Sequence, residues 1–164
     1  MSRGAEFKAL VAQHGSPLLL LDCNVVRRRY KALQAALPGV GLFYALKPLP
    51  HPAVVAELRD LGGCFDVATS GEIRLVKAAG VPPERCIHTH PIKTDAEIRA
   101  ALRFGIRTFV VDNPDELRKF RQHRARAEVL LRLSFRDPTA VVDLSRKFGC
   151  EPAAVLPMLE LAQN

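Results

Sequence analysis

The chain holds 164 residues, 48% hydrophobic and 25% charged, the make-up of one globular domain large enough to bury its own core. The formal net charge of +7 is spread over arginine clusters, Arg27-Arg28-Arg29 and Arg121 to Arg126, that fall on expected helix faces without a nucleic-acid-binding motif, so they read as solvated surface and nucleic acid is excluded as a partner. Pro17 to Leu21, the longest early apolar run, is too short to cross a membrane and is closed by Asp22 with no leader-type flank, while the four cysteines (Cys23, Cys64, Cys86, Cys150) form no C-x-x-C pair; a cytoplasmic protein with reduced thiols is expected, with no zinc site and no disulfide framework.

Residues 1 to 16 read as an irregular or short helical lead-in, and Pro17 to Leu21 as a first strand. Asp22 or Asn24 caps a helix whose apolar positions Val26, Tyr30, Leu33 and Leu37 recur at helical spacing until Pro38-Gly39 stops it. Gly41 to Lys47 is an uncharged run ending in one lysine, with Pro48 and Pro50 after it, the pattern of a buried strand in a parallel sheet. Pro52 to Leu61 is the next helix, closed by Gly62-Gly63, and Cys64 to Ala68 the next strand. Ser70 is placed as the cap of a helix that runs to Gly80. Arg85 to Thr89 is a strand, and a helix from about Thr94 turns Ile98, Ala101 and Leu102 inward before Gly105 ends it. Thr108 to Val111 leads into Asn113-Pro114-Asp115-Glu116, which offers an N-cap, a proline at the first helical position and a reciprocal glutamate. Val129 to Leu133 is a fifth strand, followed by an irregular stretch and a helix from about Pro152 to Leu161.

Alternating strands and helices at this spacing imply right-handed βαβ units and a parallel sheet, hence an α/β fold. Five strands from Lys47 onward fall short of the eight strands and about 250 residues of a closed (β/α)8 barrel. The chain is therefore either an open doubly wound sheet or a partial TIM-type barrel, with residues 1–40 as a lead-in and 41–164 as the barrel part.

Functional groups in such folds sit at the C-terminal ends of the strands. Read that way, the chain offers Lys47, then Asp66 with Thr69 to Glu72, then His88, His90 and Lys93, then Asp112-Asn113, then Arg132. A lysine at a strand end is desolvated by its surroundings, which lowers its pKa and equips it to form a Schiff base with an aldehyde; the ordinary alternative is a lysine that snorkels into solvent. Asp66 inside an apolar strand needs a partner, which favours a functional role. His88 and His90 alternate on one strand face, but with no third ligand at a matching site they read as ordinary strand-end histidines and not as a metal pair. A lysine, a carboxylate and an arginine at one mouth suit an anionic ligand that carries a carbonyl.

These residues sit in longer motifs. Phe43-Tyr44-Ala45-Leu46-Lys47, Phe65-Asp66 through Ser70-Gly71-Glu72-Ile73, Gly80 to Arg85, His90-Pro91-Ile92-Lys93, Val111-Asp112, Leu131-Arg132-Leu133 and Leu144 to Gly149 together resemble the barrel domain of the fold-type III pyridoxal-phosphate decarboxylases. That group includes ornithine, lysine, arginine and diaminopimelate decarboxylases and is related to alanine racemase. The Pro-x-Lys after the third strand and the short link to the Leu-Ser-x-Lys-Phe-Gly element look more like the ornithine/lysine branch.

Position by position, the resemblance implies pyridoxal 5'-phosphate as cofactor, Lys47 as the catalytic lysine bonded to its aldehyde, Asp66 and Arg132 lining its ring, and Lys147 near a subunit boundary. It further implies a basic amino-acid substrate and a homodimer. Two departures stand out: Pro48-Leu49 follows the lysine where the family has a small residue and then asparagine, and His90-Pro91-Ile92-Lys93 stands where it has Asn-Pro-x-Lys; both bear on pocket shape. The resemblance also places the phosphate-binding glycine loop, the glutamate that partners the pyridine, the histidine that stacks on it and a C-terminal β-domain beyond Asn164, with Pro17 to Leu21 joining that β-domain. The isolated chain is accordingly expected to bind the cofactor weakly and to decarboxylate nothing at a useful rate. The alternatives are a non-catalytic homologue kept for binding, or a racemase-like protein on the same half barrel; retention of Lys47, Asp66 and Arg132 favours the enzyme.

Overall fold

A computed structural model describes residues 3–163 except 136, 138, 140, 144 and 146. Two helices lead in, α1 (Arg3–His14) and α2 (Cys23–Ala36), and the chain then alternates β1 (Phe43–Ala45), α3 (Pro52–Asp60), β2 (Cys64–Val67), α4 (Ser70–Ala78), β3 (Cys86–His88), α5 (Asp95–Phe104), β4 (Thr108–Val111), α6 (Pro114–Lys119), β5 (Glu128–Leu131) and α7 (Val155–Gln163). The five strands pair in parallel in the order β1-β2-β3-β4-β5. A doubly wound sheet reverses its strand order to cover both faces, whereas an order that follows the sequence without reversal winds in one direction, as a barrel does. The partial barrel is thus the architecture, and Leu133 bridging in parallel to Cys150 extends the same direction past β5.

Local chemistry sets most element ends. Asp22 caps α2, its Oδ1 accepting from the N–H of Asn24 at 2.9 Å. Thr94 and Glu97 close a reciprocal capping box on α5, and Gly105 ends that helix at φ 112°, where a Cβ would lie 2.9 Å from Pro83 Cγ. Arg85 donates to the carbonyls of Gly63 and Arg59, with Nη2 3.0 Å from the latter, so that one guanidinium ties the end of α3 to the start of β3. The lead-in is fastened too: Arg27 on α2 pairs with Glu57 on α3, its Nη2 donating to Oε2 at 3.0 Å, and this holds the Glu57 carboxyl below its ordinary range.

The register sorts the strands into two faces. Leu46, Val67, His88 and Phe109 form one row with Phe65 and Val111 beside it, all buried against α3, α4, α5 and α6. Phe43, Cys64, Asp66, Ile87 and Leu130 form the other face, which is half-buried to exposed. In a closed barrel this second face points inward.

Several expectations need correction. Pro17 to Leu21 is not a strand: it enters through a cis Ser16–Pro17 bond, leaves Leu19 90% exposed, and pairs with nothing in the five-stranded sheet. A short apolar run becomes a strand only where a neighbour takes its backbone groups. Thr69, and not Ser70, caps α4, accepting from the N–H of Glu72. Asn113 caps α6 as expected, but Glu116 does not reciprocate; its carboxylate accepts from the N–H of Lys93 instead. The strand ending at Lys47 is a three-residue edge with Phe43 41% exposed, not a buried strand, because it has a neighbour on one side only. Of the Leu144 to Gly149 motif, Leu144 and Arg146 lie outside the described residues.

Candidate active site

The C-terminal ends of β1, β2 and β5 and the loop after β3 converge on a cavity of about 130 Å³ lined by Lys47, Asp66, Thr89, His90, Arg132 and Phe148 among others. The three site residues named from the sequence therefore meet, although 85 positions separate Lys47 from Arg132 in the chain. A larger hollow of about 600 Å³ beside α2 is walled mainly by Leu20, Leu21, Val25, Val26, Leu33 and Leu58, with Asp22, Arg29, Tyr30 and Tyr44 also on its lining; it lies away from the C-terminal ends of β2 and β5, and its size does not make it the site.

Lys47 lies two residues past β1, where the chain turns sharply: the N–H of Leu49 donates to the carbonyl of Leu46 at 3.1 Å, and Tyr44 Oη donates to the carbonyl of Leu49 at 3.1 Å. Pro48 sits inside this turn and fixes the exit of the chain. The expected desolvation of Lys47 is not found, since its side chain is exposed; the open inner face leaves water on it. Asp66 does have the partner its position demands. Its carboxylate accepts from the N–H of Thr89 at 3.2 Å and from Thr89 Oγ1 at 2.7 Å. Burial raises its pKa, and the bonds from Thr89 oppose that rise.

The two histidines do not share a face. His88 belongs to the buried row, fully enclosed, stacked 5.9 Å from Phe109, with neither ring nitrogen hydrogen-bonded among the described residues; burial, with Lys93 nearby, drops its pKa to about 4. His90 follows the end of β3, where strand alternation no longer holds, and lines the cavity. Among the described residues no three His, Cys, Asp or Glu side chains are grouped to hold a metal, and the four cysteines are free thiols, Cys86 and Cys150 buried.

Lys93, named from the sequence as a strand-end group without a role, is buried. It is 1% exposed; its Nζ donates to the carbonyls of His90 (2.9 Å), Pro91 (3.1 Å) and Val110 (2.6 Å) and lies 3.7 Å from Glu116 Oε2. Glu116 also takes Lys119, whose Nζ bonds the carbonyl of Lys93 at 2.7 Å. Burial lowers the Lys93 pKa to about 8, a feature often seen at reactive lysines. Here every donor is spent on backbone, so Lys93 braces the loop that carries His90. Its place after the third strand and the Pro-x-Lys pattern were its signals in the sequence, and neither separates a brace from a nucleophile.

Residues 23–164 match the family described as pyridoxal-dependent decarboxylase, pyridoxal binding domain, and the chain belongs to that family. It is 34% identical to the lysine/ornithine decarboxylase of Selenomonas ruminantium over 97% of this chain and 40% of that protein. Lysine/ornithine decarboxylase of Vibrio vulnificus, solved in complex with putrescine, aligns at 52% identity and a TM-score of 0.88 over 97% of this chain and 41% of that one. An SrLDC mutant solved in complex with PLP aligns at 34% identity and a TM-score of 0.91, over 99% of this chain and 42% of that one. The chain spans about two-fifths of the length of these relatives.

Proposed function

We propose that this chain is the lysine-bearing part of a pyridoxal-phosphate-dependent decarboxylase acting on a basic amino acid of the ornithine or lysine type, with residues 1–40 as the lead-in and 41–164 as the barrel part. The observation that carries the reading is the convergence of Lys47, Asp66 and Arg132, from three separate strands, on one cavity at the C-terminal side of the sheet. That donor set fits an anionic aldehyde: one accessible amine, one carboxylate fixed by Thr89, and one guanidinium. A non-catalytic homologue has no need to keep all three.

In this reading Lys47, exposed at the cavity, would hold the cofactor's aldehyde through Nζ. Asp66, oriented by Thr89, would present oxygen to the ring from β2, and Arg132 would offer N–H donors to an anionic oxygen from β5. Bound pyridoxal phosphate supplies the electron sink for the carbanion left when carbon dioxide departs. Thr89 is thereby a positioning residue. The whole protein would work as a homodimer in the cytoplasm, with Lys147 near the subunit boundary.

Reduction with borohydride in the presence of pyridoxal phosphate, followed by peptide mapping, should place the pyridoxyl group on Lys47, and Lys47→Met should abolish that label. A label spread evenly over exposed lysines would sink the assignment.

A further inference from the structure

Arg132 enters the cavity on a fixed backbone. Its N–H donates to the carbonyl of Val111 at 2.9 Å, and its own carbonyl accepts from Cys150 N–H at 2.8 Å. That does not orient a long, flexible side chain. Among the described residues the guanidinium makes no ion pair; what lies against it is the Phe148 ring, with Cζ 5.0 Å from the ring centroid. The same ring makes a T-shaped contact with His90, centroids 6.0 Å apart at 74°, and His90 is itself fastened by Nδ1 lying 2.6 Å from the carbonyl of Ile92.

Phe148 is held from behind. Gly149 follows it at φ 97°, and a Cβ there would lie 2.9 Å from the carbonyl carbon of Leu133, so only glycine fits. The N–H of Gly149 donates to Asp112 Oδ2 at 2.9 Å, tying this turn to the residue after β4. The ring is thus delivered into the cavity by contacts to both β4 and the extension of β5.

We propose that Phe148 is the positioning residue for Arg132: its ring holds the guanidinium inside the cavity by cation–π attraction. A carboxylate partner would neutralise the arginine and occupy its N–H groups, whereas an aromatic ring attracts the charge and leaves the donors free for an anionic oxygen of a ligand. Lys147 lies over the same ring at 5.2 Å and belongs to the same cationic cluster. The consequence for ligand binding rests on the cofactor reading above; the orientation of Arg132 does not.

The test uses this chain with Phe148→Leu, Phe148→Tyr, Arg132→Met and the double variant Phe148→Leu/Arg132→Met. One readout is the side-chain Nε–Hε signal of Arg132 and its heteronuclear NOE; the other is the pyridoxal phosphate concentration that half-saturates borohydride labelling of Lys47. Phe148→Leu should turn the restrained Arg132 signal mobile and raise the half-saturating concentration about three- to tenfold, and Phe148→Tyr should leave both near wild type. Arg132→Met should give a similar loss, with Phe148→Leu adding nothing to it. Equal restraint of Arg132 in the Leu variant, or losses that simply add in the double variant, would overturn the proposal. If no variant labels Lys47, the cofactor reading fails, and the Arg132 signal still decides whether Phe148 orients it.

Discussion

The two faces of the five-stranded sheet are built from the same strands and differ in what they are for. On the helix side, Leu46, Phe65, Val67, Phe109 and Val111 are fully buried, and the row holds one polar group, His88, with no hydrogen-bond partner among the described residues. On the other side Phe43 is 41% and Leu130 52% exposed, and Asp66 sits there beside Thr89 with Lys47 and Arg132 at its upper rim. Stability is concentrated on the first face and chemistry on the second. The inner face of a barrel is normally filled by layers of side chains from all its strands, so five strands leave it short of partners.

The largest test of that contrast is a pair of truncations. Phe109→Ala removes a fully buried ring and should cost about 3–5 kcal/mol in urea unfolding, while Leu130→Ala should cost less than about 1 kcal/mol. Similar costs would mean that the inner face is covered in solution.

Next in size is the acid response of the buried face. The folded state holds His88 near a pKa of about 4 against an ordinary 6.5, so the fold prefers the neutral ring: the stability it contributes is complete above pH 6.5 and is lost as pH falls from there through about 4. The full swing is about 3 kcal/mol. The charged groups acting on it are Lys93 and His90, which disfavour the imidazolium, and Glu97, which favours it. Glu57 and Glu97, with lowered carboxyl pKa values, lose their own contribution at lower pH, and the raised Asp66 works against that loss. The wild-type curve minus that of His88→Phe, whose ring keeps the contact with Phe109, isolates the histidine; parallel curves between pH 6.5 and 4 would contradict the assignment.

Smaller in energy, and read by light scattering, is self-association. Two sheet edges and an open apolar face should drive this chain to oligomers or to a polypeptide that supplies further strands. Leu130→Lys and Phe43→Lys should shift it toward monomer. A monodisperse wild-type monomer would show that the inner face is stable in water.

Much of this was legible in the sequence because the deciding interactions are local. The cap by Asp22, the start of α5 at about Thr94, Asn113-Pro114 before α6 and the glycine after α5 depend on residues within four positions of one another, and β4 was readable to its ends. Lys47, Asp66 and Arg132, named by residue type at strand ends, line one cavity, because a parallel sheet brings those ends together whatever the intervening helices contain.

What only the tertiary structure decided involves partners remote in the chain. Pro17 to Leu21 has the composition of a strand and no strand beside it. Glu116 sits where a capping box would use it and turns instead to Lys93, 23 positions away. His88 and His90 look equivalent in the sequence, yet one is sealed in the buried row against Phe109 and the other lines the cavity, because the strand ends between them. Lys47 was expected to be the buried lysine and Lys93 is, since burial depends on which face of the sheet is covered. Sequence period says which residues share a face; only packing says which face meets water.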